Sequence, residues 1–403
     1  MPIKLELAQE MLLAAVRPVG TEEVPLASCW RRVLAETVVA GIDFPPFDRS
    51  PLDGYAVVAA DVAQASPSSP VVLRQIDMVA AGTVPGVSVA PGTAVRIMTG
   101  AQLPAGATGV VRLEDTRAAL ETVEVMSGAD AGKNICRQGE EIKKGEEVIP
   151  QGTLINAGVM GMLAVLGKSR PLVYRRPKVG IIATGSEIVP VDAPLAPGKI
   201  RNSNSFMLGG QVLEAGAEPV MLGAAPDDVA AICAKFSEVD CDLWLTTGGA
   251  SVGDYDLIGK AFANMGVRIL YDRVSMKPGM PVIAGIRDQK LYIGLSGNPA
   301  AASVSCELLV RPALLKLGGR RHWQRPVVRA TLAAPFLKPT AARRFVWAHC
   351  WQEGQQMMVR PLGLQGNGML KSAMVANALA MVPENSPPLA VGTVLDVLLL
   401  ADL

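Results

Sequence analysis

Three times between residues 178 and 299 an apolar run ends in a glycine-bearing turn and then enters a helical pattern. The runs are Lys178 to Ala183, Asp242 to Thr246 and Leu291 to Leu295. The turns are Thr184 to Glu187, Thr247 to Asp254 and Ser296 to Pro299. A further strand is expected at Pro219 to Leu222. Helices are expected near Ser205 to Ala215, from an Asp227 cap to about Ser237, from about Asp256 to Met265, and from Pro299 to Leu317. Strand–helix alternation of this kind specifies a three-layer α/β/α domain with a mostly parallel sheet.

The flanks have another texture. From Val38 to about Val173, short apolar runs such as Val71 to Leu73, Ala94 to Met98 and Gly109 to Leu113 are separated by Gly and Pro, and they read as strands of β-rich modules. Two helices are expected ahead of them. In the first, Leu5, Ala8, Met11, Leu12 and Val16 share a face; the second covers Ser28 to Glu36. Past Gly318-Gly319-Arg320-Arg321, the runs Pro326 to Ala333, Phe345 to Cys350 and Thr393 to Leu400 fit a small all-β domain.

A chain of 403 residues is too long for one core, so the fold is multidomain α/β plus β. Aromatics supply only 4% of residues, so cores of Val, Leu, Ile, Ala and Met are expected. A formal charge of +1 argues against a nucleic-acid partner. No apolar stretch approaches the roughly 18 residues that span a bilayer, and the first residues lack a signal-peptide core, so the expectation is a cytoplasmic protein without a membrane partner. Six cysteines without a Cys-x-x-Cys pair, and only two histidines, argue against zinc or haem.

In open parallel sheets, ligands bind beyond the carboxyl ends of the strands. One glycine turn there is ordinary structure; three on one edge point to a phosphate-bearing or nucleotide ligand. Glu187, Asp227, Asp228, Asp254 and Asp256 gather at the same edge. Helix capping or first-turn placement accounts for Asp228 and Asp254, and Mg²⁺ held by carboxylates and ligand phosphates is the alternative. Arg273, Ser275 and Lys277 alternate along an extended segment. The two cations would face an oxyanion or line a solvated edge strand, and spacing does not choose. Farther upstream, the turn at Asp53-Gly54, the segment Arg96 to Ala101 and Leu113-Glu114-Asp115 put polar groups at strand ends. Nothing in their spacing relates them to the glycine-loop edge.

The chain resembles the molybdopterin molybdenumtransferase family, the bacterial MoeA type and the E domain of gephyrin. Eight segments carry the likeness, in family order. They are the PPFD-R-S-P-L-DGYA stretch at 45–56, RIMTGA at 96–101, the N-I-x-R-x-G-E-E stretch from Asn134, IIATGSEI at 181–188, TTGGASVGDYD at 246–256, MKPGMP at 276–281, GLSGNPAA at 294–301, and Gly366 to Asn377. The resemblance implies a four-part homodimer with a shared active site. Its parts would be residues 1–20 with 41–138 as an elongated module, 21–40 with 139–173 as a second β-rich module, 174–318 as the molybdopterin-binding domain, and 319–403 as a β-barrel-like domain. It also implies molybdate and adenylyl-molybdopterin as substrates, Mg²⁺ as cofactor, AMP as product, and the molybdopterin adenylyltransferase and molybdoenzymes as partners.

By the same resemblance, Asp53, Glu187, Asp227 and Asp256 are the expected catalytic residues, the last three also holding the metal. Expected substrate contacts are Thr99, Glu114, Glu141, Gly248, Gly249, Ser251, Gly253, Arg273, Lys277, Ser296, Gly297, Asn298 and Pro299. Asp53, Thr99 and Glu114 would face the partner subunit's α/β domain. Three positions depart from the family pattern: Met280 stands at a usual lysine, Cys136 at a usual arginine, and Glu141 at a common aspartate. Losing two cations would weaken anion binding or mark a paralogue. A scaffold or molybdopterin-storage protein, and an adenylyltransferase, are the competing readings.

Overall fold

The computed structural model describes residues 1–249, 257–363 and 370–401. Ser251, Gly253, Asp254 and Asp256 lie outside the described residues. The chain divides into two compact units, one made of residues 1–36, 152–156 and 170–403, the other of 37–151 and 157–169.

At the centre of the larger unit is a six-stranded sheet. Its order is Glu218–Ala225, Lys178–Thr184, Leu243–Thr247, Lys290–Leu295, Pro281–Arg287, Arg268–Arg273. The first four strands run parallel, and the last two add antiparallel pairs at one edge. Period-two alternation sorts side chains between two cores. Ile181, Leu243, Leu245, Leu291 and Ile293 face a core with Leu208 and Val212 of the helix Asn204–Glu214. Ile182, Trp244 and Tyr292 face the other, against Ile232, Phe236, Ile258 and Phe262. That second core departs from the all-aliphatic expectation. Trp244 and Tyr292 stack at 4.7 Å between centroids, and Phe236 and Phe262 meet Tyr292 from the side.

The helix Leu5–Ala15 buries Leu5, Ala8 and Leu12 in the first of these cores. Its Gln9 side chain donates to the Leu308 carbonyl, 2.8 Å away. That carbonyl is free because of a proline. The expected long helix from Pro299 is interrupted: Pro299–Ser305 and Arg311–Leu317 are α-helical, and Cys306–Val310 is a π-turn. Pro312 has no N–H to return to Leu308, so the widened turn accommodates its ring and Gln9 takes the carbonyl.

The last part of the unit is a closed barrel of Val327–Leu332, Gln356–Pro361, Arg344–Glu353, Ala378–Val382 and Val394–Leu399. It encloses Leu332, Val346, Val359 and Val397. It is not all-β, since Leu370–Val375 is helical. Ser28 to Glu36 is not a helix either. Leu26–Ser28 forms one 3₁₀ turn, Arg31 takes φ 58°, and Val33 and Leu34 bridge to Leu154 and Val173. A left-handed residue ends helical propagation at once, and Leu34 gains full burial in the extended form.

The smaller unit is built on a sheet of order Gly109–Arg112, Gly54–Val57, Thr93–Ile97, Val71–Val79, Thr122–Val125, Thr116–Ala118. Short strands were expected up to Val173, but Ala157–Val165 is a helix. Apolar residues surround it evenly, so it shows neither a strand nor a helix period. No helix among the described residues is long and apolar enough to cross a membrane.

Candidate functional site

A cavity of about 520 Å³ opens at the carboxyl ends of the four parallel strands, where Thr184, Asp227, Thr247 and Ser296 line it. Its walls are backbone drawn unusually close. A side chain at Gly248 would put Cβ 2.2 Å from the Thr184 carbonyl oxygen, and φ there is +102°. At Gly249, with φ +61°, Cβ would lie 3.0 Å from the Thr184 hydroxyl. At Gly297 it would lie 3.3 Å from the Gly248 Cα. The three loops therefore nest against one another because they carry no side chains at these points.

Acidic groups enter from the first loop and the turn beside it. The Glu187 carboxylate folds back over Gly185, where a Cβ would meet it at 2.5 Å. Asp227 accepts from the Ser186 N–H at 2.9 Å. Capping was expected of both Asp227 and Asp228; it falls to the later one, Asp228, which accepts from the Ala231 N–H and starts the helix Val229–Phe236. This one-residue shift leaves Asp227 exposed on the cavity wall. Pro299 begins its helix, and Asn298 before it makes no side-chain capping bond. Ser296 accepts from the Asn298 N–H at 3.2 Å.

Asn204 ties the second and third loops together. Its Nδ2 donates to the Thr247 hydroxyl and to the Gly297 carbonyl, both at 2.8 Å. It is 9% exposed, and its Oδ1 has no hydrogen-bond partner. Sequence reasoning missed it because Asn202-Ser203-Asn204-Ser205 reads as an ordinary helix start. In fact Asn202 accepts from the Ser205 N–H at 3.2 Å and releases Asn204 for the loops. Arg201, also unforeseen, lines the same cavity.

Of the expected site residues, Glu187, Asp227, Gly248, Gly249, Ser296, Gly297, Asn298 and Pro299 meet here. Arg273 and Lys277 are not among the lining residues. They belong to the antiparallel edge: Arg273 ends its strand, and Lys277 exchanges backbone bonds with Arg343 and Phe345. The expected alternation holds there, with Val274 and Met276 buried and Arg273 and Lys277 exposed. Met280 is 42% exposed and so is no core residue.

In the smaller unit, register brings three expected residues to one sheet end. Gly54 pairs with both Ile97 and Arg112, which places Asp53, Thr99 and Glu114 together just beyond these strands. Gly54 cannot be replaced easily, since a Cβ would lie 2.0 Å from the Val111 carbonyl oxygen. Asp53 is exposed and accepts from the Thr99 N–H at 2.7 Å and the Thr99 hydroxyl at 2.8 Å. The Thr99 N–H first, and its hydroxyl second, hold the Asp53 carboxyl below its ordinary pKa. Glu141 lies elsewhere in this unit and is exposed, its N–H bonded to the Phe44 carbonyl. Cys136 pairs through its backbone with Arg49, while the neighbouring Arg137 bonds Asp48 at 2.7 Å.

Three family descriptions match nearly the whole chain: a MoeA N-terminal region (domains I and II) at residues 3–167, a probable molybdopterin binding domain at 180–316, and a MoeA C-terminal region (domain IV) at 329–400. A molybdopterin molybdenumtransferase of Bacillus subtilis is 38% identical over 388 residues, covering 95% of this chain and 90% of that one. A molybdopterin molybdenumtransferase 2 of Mycobacterium tuberculosis is 37% identical over 394 residues, covering 96% of each. The crystal structure of a molybdopterin biosynthesis MoeA protein from Pyrococcus horikosii superposes with TM-score 0.86 at 31% identity, covering all of both chains.

Proposed function

The chain belongs to the molybdopterin molybdenumtransferase family, and from that membership we propose that it inserts molybdate into adenylyl-molybdopterin with release of AMP. One observation carries the reading: a cavity at the carboxyl ends of the parallel strands, walled by glycine backbone and bearing Glu187 and Asp227. Backbone this close can lie against a phosphoanhydride, and the proline-started helix at Pro299 turns its positive end toward it.

The donor set suits Mg²⁺. Among the described residues no group of three His, Cys, Asp or Glu could hold a metal ion, but two carboxylates suffice when phosphate and water complete the shell. Bound there, Mg²⁺ supplies charge neutralisation to the phosphoanhydride that is cleaved as AMP leaves. Glu187 and Asp227 hold its place, and Asp256 is the third residue of this proposal. Asn204 keeps the second and third loops in register around the nucleotide. Arg273 and Lys277 offer the fixed positive charge that molybdate needs. Asp53, held below its ordinary pKa, is a poor proton acceptor; its role is to orient molybdate or water rather than to act as a base.

The proposed protein is a cytoplasmic homodimer, divided into the four parts given above. Asp53, Thr99 and Glu114 of one subunit complete the site of the other. It receives its substrate from a molybdopterin adenylyltransferase and passes its product to molybdoenzymes. AMP release from adenylyl-molybdopterin that depends on added molybdate tests the reaction, and release no faster than without molybdate overturns it. Shared sites are tested by mixing Asp53→Ala and Asp227→Ala subunits. Random exchange puts half of the chains in heterodimers with one intact site each, so activity should return to about one quarter of wild type. No recovery after demonstrated exchange would place each site within one chain.

A further inference from the structure

Outside the glycine-loop cavity, the larger unit holds a smaller one of about 160 Å³ whose lining includes five arginines: Arg31, Arg32, Arg175, Arg176 and Arg320. The lone carboxylate among its lining residues is Glu214, which is exposed. Two of the arginines are already neutralised. Arg32 pairs with Glu22 and donates to the Tyr174 carbonyl, and Arg175 grips both oxygens of Asp242 at 2.8 and 3.0 Å. Among the described residues, no carboxylate lies within ion-pair reach of Arg31, Arg176 or Arg320. Arg320 is half-buried; burial, and then the charge of Arg31, hold its pKa below the usual arginine range.

The backbone takes unusual forms to assemble this cluster. Arg31 occupies φ 58°, a region seldom used by residues other than glycine. Gly319, at φ +79°, lies so flat on the Tyr174 ring that a Cβ would sit 2.0 Å from a ring carbon. That contact, with the Arg320 N–H bonded to the Leu315 carbonyl at 2.9 Å, fixes where Arg320 leaves the turn. Arg31 and Arg176 are exposed, so the repulsion of Arg31 falls on a half-buried Arg320, and a bound anion relieves it. A cavity of about 160 Å³ has room for a tetrahedral oxyanion. Guanidinium forks match the oxygen spacing of such anions.

We propose that this arginine-lined cavity is a second anion site of the protein, binding a tetrahedral oxyanion of the phosphate, sulfate or molybdate class. The test is equilibrium dialysis of the full chain against labelled phosphate and, separately, labelled molybdate. Wild type is compared with Arg31→Gly, with Arg31→Gly/Arg320→Gln, and with Lys338→Gln, an exposed lysine away from both cavities, as a control. Glycine suits φ 58°, so Arg31→Gly should keep the wild-type melting temperature in anion-free buffer. Wild type and Lys338→Gln should share a saturable equivalent per chain that the double variant lacks and that Arg31→Gly binds about tenfold more weakly. Displacement of phosphate by molybdate identifies a general oxyanion site, and resistance to displacement identifies a phosphate site; either supports the proposal. Should the double variant melt early, Arg31→Gly alone decides. Wild-type stoichiometry and affinity for both anions in Arg31→Gly, or no saturable binding by wild type, overturns it.

Discussion

Glu187 and Asp227 lie in a cavity whose walls are backbone brought together by glycine, whereas Asp53 stands exposed on a sheet corner and is oriented by Thr99. In the first region, precision comes from what is missing: side chains that would collide at 2.2 Å or 3.3 Å. In the second it comes from two hydrogen bonds to one carboxylate. A walled cavity can recognise a ligand with its own surfaces. An open corner has a positioned charge and nothing to enclose a reactant, so on the proposed reading its chemistry needs a surface brought to it. The glycine-loop region should therefore be sensitive in stability, and the Asp53 corner in activity.

The largest effect that would break this contrast belongs to Asp53→Ala. AMP release should fall roughly 10³-fold while the denaturation midpoint stays at its wild-type value. A denaturant melt beside the assay reads both, and a comparable loss of stability would deny the corner its purely chemical role. Gly248→Ala comes next. A Cβ against the Thr184 carbonyl, at φ +102°, should cost about 3 kcal/mol and lower the melting temperature before any assay is run. A variant as stable as wild type would mean that the loops do not need their close approach.

A finer test uses pH. The depressed pKa of Asp53 keeps it ionised until pH falls through that lowered value. Thr99→Val removes the hydroxyl bond and leaves the larger N–H contribution, so the pKa should rise part of the way back. The acid limb of the AMP-release profile should then move to higher pH, with the neutral-pH rate little changed. An unmoved limb would show that Asp53 is not the group titrating there. The smallest effect is expected at Met280. Since that side chain is 42% exposed, Met280→Lys should leave the melting temperature alone and tighten molybdate binding by under about 1 kcal/mol. A lowered melting temperature with unchanged affinity would remove the position from anion binding.

The glycine-loop edge was legible in the sequence because strand, turn and helix each carry a local signature, and Gly248 or Pro299 is constrained by its own backbone. Asp53, Thr99 and Glu114 were readable as loop polar groups, but their meeting depends on strand register, which pairs Gly54 with residues 43 and 58 positions away. Asn204 was hidden because its bonds reach Thr247 and Gly297 while its neighbours imitate a cap. The stretch Ser28 to Glu36 misled for the opposite reason. Its composition suits a helix, and only tertiary pairing with Leu154 and Val173, together with the left-handed Arg31, makes it extended.

The bond from Gln9 to the Leu308 carbonyl has a consequence in time. The helix Leu5–Ala15 leaves the ribosome 299 residues ahead of the acceptor that Pro312 frees for it. At about 5–20 residues per second, that is a wait of roughly 15–60 s with Leu5, Ala8 and Leu12 lacking their final neighbours. Its partners Val310, Ala313 and Leu314 are made later still. This segment is thus made well before it can dock, and the nascent chain carries an apolar stripe through the 299-residue interval from Gln9 to Leu308. A short helix with Glu6 and Glu10 on its exposed side tolerates that interval better than a longer, more apolar one would.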